Sequence, residues 1–360
     1  MYAPDHSDQT SSEEPYTITG SLTLTLSEGT YALAKVDGPA GFTDHVKNVE
    51  NVMGTNQADT ITGDGNDNIL YGAGGSDHLN GGKGDDILYA CNITDSSVPG
   101  SSTTCHSYDE NWLYTSKGRD SFHGSHSIDI ISFSIDDSTS SSSMSSWDKP
   151  TEGVNINLFT FTISNDGFGE ADKNVSDIEH IQGSEFADTL VGDKNANTFY
   201  ATKGGDSIDG YEDSNNTLSF EFAPDAVTAD LSSPTIEDNG FGASDTIAHI
   251  QNLTGSAQDD KLTGDSSANT LTGGMGKDTL DGGPGNNTLT GGEGNDTFTL
   301  NSADMIDPSS TTPYENRITD FQSKLTSSDG NGDTINLVNN GGLVQFSVSN
   351  IILKNNDGVT

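Results

Sequence analysis

Aspartate and glycine recur at fixed positions in a nine-residue repeat. Five consecutive units, GSAQDDKLT, GDSSANTLT, GGMGKDTLD, GGPGNNTLT and GGEGNDTFT, run from Gly255 to Thr299. Glycine opens each unit, Asp or Asn stands at position six, and Leu or Phe stands at position eight. Carboxylates combined with backbone carbonyls form a hard oxygen cage, which is the donor set that Ca²⁺ prefers. The spacing therefore predicts a series of calcium sites.

The predicted ligands are of two kinds, carbonyls of the turn and carboxylates at position six. Glycines at positions one, two and four permit positive φ, so the backbone can turn tightly and aim its carbonyls inward. In the last block we expect Gly274, Gly276, Gly292 and Gly294 to contribute in this way. The candidate carboxylates, taken over the whole chain, are Asp59, Asp77, Asp86, Asp188, Asp206, Asp260, Asp278 and Asp296.

Position eight supplies the core. The residues around it form a very short strand, in which one side chain per unit points inward. A single turn buries almost nothing, so the turns must stack, and the sequence predicts an all-β solenoid. A flexible Gly/Asn/Asp-rich linker is the alternative, but a linker would not keep an apolar residue at every ninth position.

The bulk composition is strongly acidic. The 360 residues include 55 acidic and 14 basic side chains, a formal charge of −41, and only 30% hydrophobic residues. Such a composition borders on disorder, and bound metal would have to neutralise the charge before the chain compacts. No basic patch exists for nucleic acid, and no apolar run is long enough for a membrane span. Residues 1–20 lack the features of a signal peptide.

Longer repeats divide the chain into modules. VNINL at Val154 and NDGFGEAD at Asn165 recur 73 residues later as VTADL at Val227 and DNGFGASD at Asp238. The predicted boundaries are an N-terminal strand-rich segment at 1–53, a first block at 54–134 with an insert at 90–116, a connector with a second block at 135–220, a connector with a third block at 221–300, and a cap at 301–360. A degraded frame after the insert puts Asp120 and Asp129 at the metal position.

The nonapeptide blocks, the GFG connectors and the ITDF segment after the last block resemble the RTX, or haemolysin-type calcium-binding, family. The resemblance extends over nearly the whole chain. It implies a right-handed parallel β-roll of about three stacked modules with a strand-rich C-terminal cap. It also implies two nonapeptides per coil, Ca²⁺ between turns stacked on one edge, and export by type I secretion without an N-terminal signal.

Two nonapeptides per coil would stack alternate units on the same edge of the roll. We therefore expect a calcium edge and an asparagine edge, with stacked Asn side chains hydrogen-bonding to each other as a ladder. The strongest sites are expected between Asp260 and Asp278 and between Asp278 and Asp296. The residues expected to share edges are Asp260, Asp278 and Asp296 against Asn269 and Asn287, Asp188 and Asp206 against Asn197, and Asp59 and Asp77 against Asn68 and Asp86.

Other residues that could do chemistry form weaker patterns. The chain contains no HExxH metalloprotease motif and no GxSxG nucleophile elbow, so we expect no catalysis. The histidines near the insert could bind Zn²⁺ or Ni²⁺, but exposed surface positions are the favoured interpretation: His106, His123 and His126. Tyr71, Tyr89 and Tyr200 share position nine, where they could line one face or serve structure. Cys91 and Cys105 are either a disulfide or two free thiols.

Together these patterns predict a calcium-binding β-roll of a secreted, extracellular protein that folds on binding Ca²⁺. It would support the secretion, folding or stability of a neighbouring domain. The alternative is an adhesin or polysaccharide-binding module, such as the repeat module of an alginate-modifying enzyme. An enzyme hidden in the inserts is the third and least favoured hypothesis.

Overall fold

The computed structural model describes residues 20–28, 32–37, 41–91, 109–125, 128–134, 149–212, 215–301, 314, 316–321, 332–338 and 351–353. All regular structure in these ranges is β-strand, which confirms the all-β prediction. Within the same ranges no helix is long and apolar enough to cross a membrane.

The strands are short, as the nine-residue repeat requires. The N-terminal part contains β1 (Leu22–Thr25), β2 (Ala32–Val36), β3 (Phe42–Val46), β4 (Asn51–Met53), β5 (Thr60–Thr62), β6 (Ile69–Ala73), β7 (His78–Asn80), β8 (Ile87–Cys91), β9 (Glu110–Tyr114), β10 (Ser121–His123) and β11 (Ile128–Ser132). The middle contains β12 (Asn155–Asn157), β13 (Thr162–Asn165), β14 (Asn174–Ser176), β15 (His180–Gln182), β16 (Thr189–Val191), β17 (Thr198–Tyr200), β18 (Ser207–Asp209), β19 (Thr217–Ser219), β20 (Thr228–Asp230), β21 (Thr235–Ile236) and β22 (Asp245–Ala248). The last part contains β23 (Asn252–Thr254), β24 (Lys261–Thr263), β25 (Thr270–Gly276), β26 (Thr279–Asp281), β27 (Thr288–Gly294), β28 (Thr297–Asn301), β29 (Asn316–Ile318), β30 (Thr334–Val338) and β31 (Ile351–Leu353).

Within the nonapeptide blocks, successive strands alternate between two faces of a parallel β-roll. One face is a continuous sheet in the order β3-β2-β1-β5-β7-β9-β11-β15-β17-β19-β23-β25-β27-β29-β31. The other face is divided into three sheets, β14-β10-β8-β6-β4, β13-β12-β16-β18-β22-β21 and β20-β24-β26-β28-β30. The divisions fall at the two GFG connectors, so the modular organisation is visible on one face only.

The pairing register places units eighteen residues apart on top of each other. Leu262 pairs with Leu280, and Leu280 with Phe298, on one face. Leu271 pairs with Leu289 on the opposite face. All five side chains have no exposed surface, so each coil of two nonapeptides adds one apolar residue from each face to a continuous core. The prediction of two nonapeptides per coil is confirmed.

The two ends of the roll differ. At the N-terminal end β1 pairs antiparallel with β2, and β2 antiparallel with β3, so a meander covers the first parallel strand β5. At the C-terminal end β29 and β31 extend the long sheet, and β30 extends the last small sheet, all in parallel. The predicted C-terminal cap therefore contributes strands to the roll itself.

The predicted insert at 90–116 is too long. Ala90 and Cys91 belong to β8, and β9 restores the frame from residue 110. Leu113 pairs with Leu79 and is fully buried, so it occupies position eight, and Asn111 occupies position six. The prediction failed here because no glycine precedes Asn111 to mark the turn. Residues 92–108 lie outside the described part of the chain.

Candidate metal centres

The sixth-position side chains form two hydrogen-bonded columns along the roll. In each column the backbone N–H of one sixth residue donates to the side-chain oxygen of the corresponding residue in the next coil. Examples are Asp260 N to Asp278 Oδ1 at 2.8 Å and Asp278 N to Asp296 Oδ1 at 3.0 Å. Asn269 N donates in the same way to Asn287 Oδ1 at 2.9 Å. One oxygen of each residue therefore joins neighbouring coils, whether the residue is Asp or Asn.

We name the columns by their composition. The mixed edge, which precedes the strands of the long sheet, comprises Asp59, Asp77, Asn111, Asp129, Glu179, Asn197, Asn216, Gln251, Asn269, Asn287 and Asn316. The aspartate edge, which precedes the strands of the three smaller sheets, comprises Asn68, Asp86, Asp120, Asp172, Asp188, Asp206, Asp245, Asp260, Asp278, Asp296 and Asp333. Within each block the residues share edges as expected, but Asp59 and Asp77 lie on the same edge as the later asparagines.

The side-chain amides of the sixth-position asparagines form hydrogen bonds with other protein groups. The Nδ2 groups of Asn68, Asn197 and Asn269 donate to the carbonyl of the sixth residue of the preceding coil, at 3.2, 3.0 and 2.8 Å. A side-chain to side-chain contact also occurs, from Asn287 Nδ2 to Asn316 Oδ1 at 2.8 Å. The expected ladder of amide side chains is thus mainly a ladder from side chain to backbone. Because Oδ1 accepts a backbone N–H and Nδ2 donates, the asparagine side chain has no uncompensated oxygen that requires a cation.

A second group of carboxylates is satisfied by Ser or Thr at position two of the same unit. Ser256 donates its N–H and its hydroxyl to the two oxygens of Asp260, at 2.5 and 2.9 Å. Ser184 does the same for Asp188, both at 2.7 Å. The other pairs are Thr55 with Asp59, Ser116 with Asp120, Ser125 with Asp129 and, at 3.4 Å, Thr202 with Asp206. The Ser and Thr residues at position two are visible in the repeat, but their hydrogen bonds to the Asp at position six were not predicted from the sequence.

The third group has Gly or Ala at position two and lacks such a donor. The buried Oδ2 atoms of Asp77, Asp86, Asp278 and Asp296 have no hydrogen-bond partner among the described residues. A buried anionic oxygen is costly unless a proton, a hydrogen-bond donor or a metal ion compensates it. These four carboxylates are the ones in the repeat blocks that fit a bound cation best.

Burial and mutual repulsion also act on this third group. Burial is the main reason that the pKa of Asp77 and of Asp86 is raised to about 8, with neighbouring carboxylates adding to the effect. In the last block burial raises the pKa of Asp278 to about 7 and that of Asp296 to about 6, again with neighbouring carboxylates contributing. The fold holds these groups where their charge is poorly compensated by protein alone.

The turn glycines let the backbones of adjacent coils approach each other closely. Gly274 and Gly292 have φ of 117° and 97°, and they pair with each other across adjacent coils. A Cβ on Gly292 would overlap the carbonyl oxygen of Gly274, and one on Gly294 would overlap that of Gly276. The carbonyls that were predicted as metal ligands therefore lie at the interface between two coils, where only glycine fits.

The donor set fits Ca²⁺ rather than a softer metal. Among the described residues no three Asp, Glu, His or Cys side chains are grouped to hold a metal ion. A site here would combine one or two carboxylates with backbone carbonyls and water, and oxygen-only ligation of this kind suits Ca²⁺. Burial lowers the pKa of His123, which stacks on Tyr89 at 4.7 Å, so His123 is not the exposed residue that was expected.

The position-nine tyrosines do not line one face. Tyr71 and Tyr89 stack on each other at 4.8 Å on the first small sheet. Tyr200 lies on the long sheet, 5.8 Å from Trp112. Cys91, at the end of β8, is disulfide-bonded, whereas Cys105, His106 and His126 lie outside the described residues.

Comparison with protein families agrees with this geometry. Residues 51–89, 176–216, 250–280 and 272–304 match the RTX calcium-binding nonapeptide repeat. The matches include part of each of the three repeat blocks, together with most of the Asp and Asn residues of both edges. No curated protein matches the chain. The repeats, their stacking in a parallel β-roll and the four family matches show that the chain contains RTX calcium-binding nonapeptide repeats in several copies.

Proposed function

We propose that this chain is the calcium-dependent folding module of a secreted protein. It would stay expanded where Ca²⁺ is scarce, fold outside the cell, and support the secretion, folding or stability of a neighbouring domain that carries the protein's activity. The observation that carries the proposal is the set of buried, unpartnered carboxylate oxygens on Asp77, Asp86, Asp278 and Asp296.

Charge and mass action link these oxygens to folding. The formal charge of −41 makes the calcium-free chain repel itself, and few apolar residues oppose that repulsion. Ca²⁺ that binds only the stacked coils stabilises them in proportion to the logarithm of its concentration relative to Kd. Extracellular calcium modules work at Kd values of roughly 10⁻⁴–10⁻³ M, far above cytosolic calcium.

The groups that would hold Ca²⁺ follow from the three classes of carboxylate. In the last block we assign the main site to Asp278 and Asp296 with the carbonyls of Gly274 and Gly276. Asp260 is a weaker ligand in this assignment because Ser256 already donates to both of its oxygens. Bound Ca²⁺ would supply positive charge to the interface between coils, and the protein residues would hold the coils in register for it.

Circular dichroism tests the proposal directly. The spectrum of the whole chain is recorded at neutral to slightly alkaline pH with EGTA and then with millimolar Ca²⁺, and at that pH we expect β-sheet signal to appear only with Ca²⁺. The same β signal in EGTA and in Ca²⁺ would contradict calcium-gated folding. Size-exclusion chromatography of the same samples should show a compact species replacing an expanded one.

A further inference from the structure

The two connectors contain GFG loops that make the same hydrogen bonds but differ in the side chain buried inside the loop. Asp166 in the first loop corresponds to Asn239 in the second. The Oδ1 atom of each accepts hydrogen bonds from the N–H groups two and four residues later, at 2.8 and 3.1 Å for Asp166 and at 3.0 and 3.2 Å for Asn239. Because the loops superpose in this way, Asp166 Oδ2 takes the place of Asn239 Nδ2.

In the second connector the amide of Asn239 is surrounded by oxygens. Its Nδ2 donates to both carboxylate oxygens of Asp245, each at 3.1 Å. It also donates to the carbonyls of Thr202 and Gly204, at 3.3 and 3.4 Å. One NH₂ group therefore compensates a buried carboxylate and two carbonyls of the adjacent turn.

The first connector keeps these oxygens but lacks the donor. Asp120 N donates to Asp172 Oδ1 at 2.9 Å, just as the corresponding N–H donates to Asp245 at 3.0 Å, so the register is the same. Counting back from Asp120 by the same steps, the counterparts of the two carbonyls are those of Ser116 and Gly118. By this correspondence the Asp172 carboxylate and the two carbonyls, all hydrogen-bond acceptors, lie opposite Asp166 Oδ2, which is also an acceptor.

Both carboxylates of the first connector are buried and incomplete. Asp166 has 0% and Asp172 9% of its surface exposed, and the Oδ2 atom of each has no hydrogen-bond partner in the part of the chain that the structure describes. The nearby cations are engaged elsewhere: Lys117 lies 5.9 Å from the ring centre of Phe168, and Lys173 pairs with Asp85 at 2.6 Å. Within the described ranges no protein donor replaces the missing amide.

We propose that the first connector holds a calcium ion between Asp166 and Asp172, in the place that the Asn239 amide occupies in the second connector. Its further oxygen ligands would be the carbonyls of Ser116 and Gly118 and water, which together give the hard, oxygen-only set of a calcium site. The site lies outside every segment that matches the nonapeptide repeat. It would fasten the first connector to the coil that contains Asp120.

A shared proton is the competing explanation. Burial and the charges of Asp120, Asp166 and Glu170 raise the pKa of Asp172 to about 9, so a protonated carboxyl could donate to its neighbour at neutral pH. A proton and a calcium ion make different predictions for the stoichiometry of bound metal. The two connectors provide matched variants with which to separate them.

The experiment exchanges the two residues in the whole chain. Asp166→Asn gives the first loop the buried amide of the second, and Asn239→Asp gives the second loop the buried carboxylate of the first. Equilibrium dialysis with ⁴⁵Ca²⁺ counts the bound ions, and circular dichroism confirms that each variant folds with Ca²⁺. We expect Asp166→Asn to bind one Ca²⁺ fewer than the original chain and Asn239→Asp to bind one more. Unchanged stoichiometry in Asp166→Asn would overturn the proposal and favour the shared proton.

The connector site rests on the proposed function only in taking calcium as the bound ion. A parallel measurement distinguishes a failure of the connector site from a failure of the proposed function. Asp278→Ala is assayed in the same dialysis experiment. If it loses calcium while Asp166→Asn does not, the connector site is wrong and the repeat sites stand. If neither variant loses calcium, both assignments are wrong. Loss in both variants supports both.

Discussion

At the scale of single residues, the molecule uses Asp and Asn as side chains of the same shape. They differ in one atom, which accepts hydrogen bonds in Asp and donates them in Asn. Both join adjacent coils through Oδ1, as Asp278 and Asn287 show. The second atom decides the chemistry, because the Asn amide donates to carbonyls whereas the Asp oxygen needs a donor or a cation. A hydroxyl at position two meets that need for Asp260 but not for Asp278, which follows glycines.

The first prediction compares these side chains by calcium titration. Asp278→Ala should lose at least one bound Ca²⁺ per chain, because it removes an unpartnered carboxylate. Asn269→Ala and Asn287→Ala should keep the full calcium stoichiometry. Asp260→Ala is expected to lose less calcium than Asp278→Ala because Ser256 already satisfies its oxygens. Equal losses on the two edges would contradict the assignment of sites.

The second prediction concerns the pH dependence of the calcium-free protein. Asp titrates near 3.9 in the unfolded chain, whereas Asp77 and Asp86 have a pKa of about 8 in the fold. Between these values the folded state binds more protons than the unfolded state, so the free energy of unfolding falls as pH rises. The contribution is fully present below about pH 4 and is lost through about pH 8.

Circular dichroism in EGTA checks this sign. The β-sheet signal should increase as the pH is lowered from about 8 to about 5, because protons replace the absent cations. Calcium affinity should change in the opposite direction, since protons and Ca²⁺ compete for the same oxygens. A calcium-free sample that loses β signal on mild acidification would show that these carboxylates are not the ones that limit folding.

At the scale of elements, close contact between turns sets the spacing of the coils. Gly292 has a φ of 97° and lies against the carbonyl of Gly274, whereas Gly242 has a φ of 82° with open space around it. Gly292→Ala should therefore lower the free energy of unfolding in Ca²⁺ by clearly more than about 1 kcal/mol, through strain and overlap together. Gly242→Ala is the control, because it introduces the strain of a positive φ without any overlap with a neighbouring atom.

Urea unfolding followed by circular dichroism measures both variants. We expect Gly292→Ala also to weaken calcium binding, because the displaced turn carries the carbonyl donors. Gly242→Ala should retain normal calcium stoichiometry. Equal destabilisation by the two substitutions would mean that positive φ, and not the approach of the Gly274 carbonyl, accounts for the effect.

Regular repeats made much of the roll predictable from sequence. Leu262, Leu280 and Phe298 fix the strands and their face, because one apolar residue every nine positions admits few other folds. The failures lie where an insert or a connector interrupts the nine-residue frame. Asn111, Asp172 and Asp245 occupy the sixth position without the GGxG sequence before them, and only the stacked coils place them there.

At the scale of the whole molecule, two sources of instability must be distinguished. One is the diffuse repulsion of a chain with a formal charge of −41, and the other is the local cost of buried carboxylates that lack partners. Salt screens the first, since the Debye length is about 3 Å at 1 M ionic strength. Salt has little effect on the second, because buried charges are screened far less than exposed ones.

The last prediction uses this difference. About 1 M NaCl in EGTA should compact the chain, as measured by its hydrodynamic radius, without restoring the β-sheet signal. Millimolar Mg²⁺ should also fail to restore it, because Mg²⁺ demands octahedral geometry and dehydrates reluctantly, whereas Ca²⁺ accepts irregular sets of carboxylates and carbonyls. Only Ca²⁺ should give both compaction and β structure. If NaCl alone restored the β signal, diffuse repulsion would be what keeps the calcium-free chain unfolded, and the carboxylates at Asp77, Asp86, Asp278 and Asp296 would be secondary.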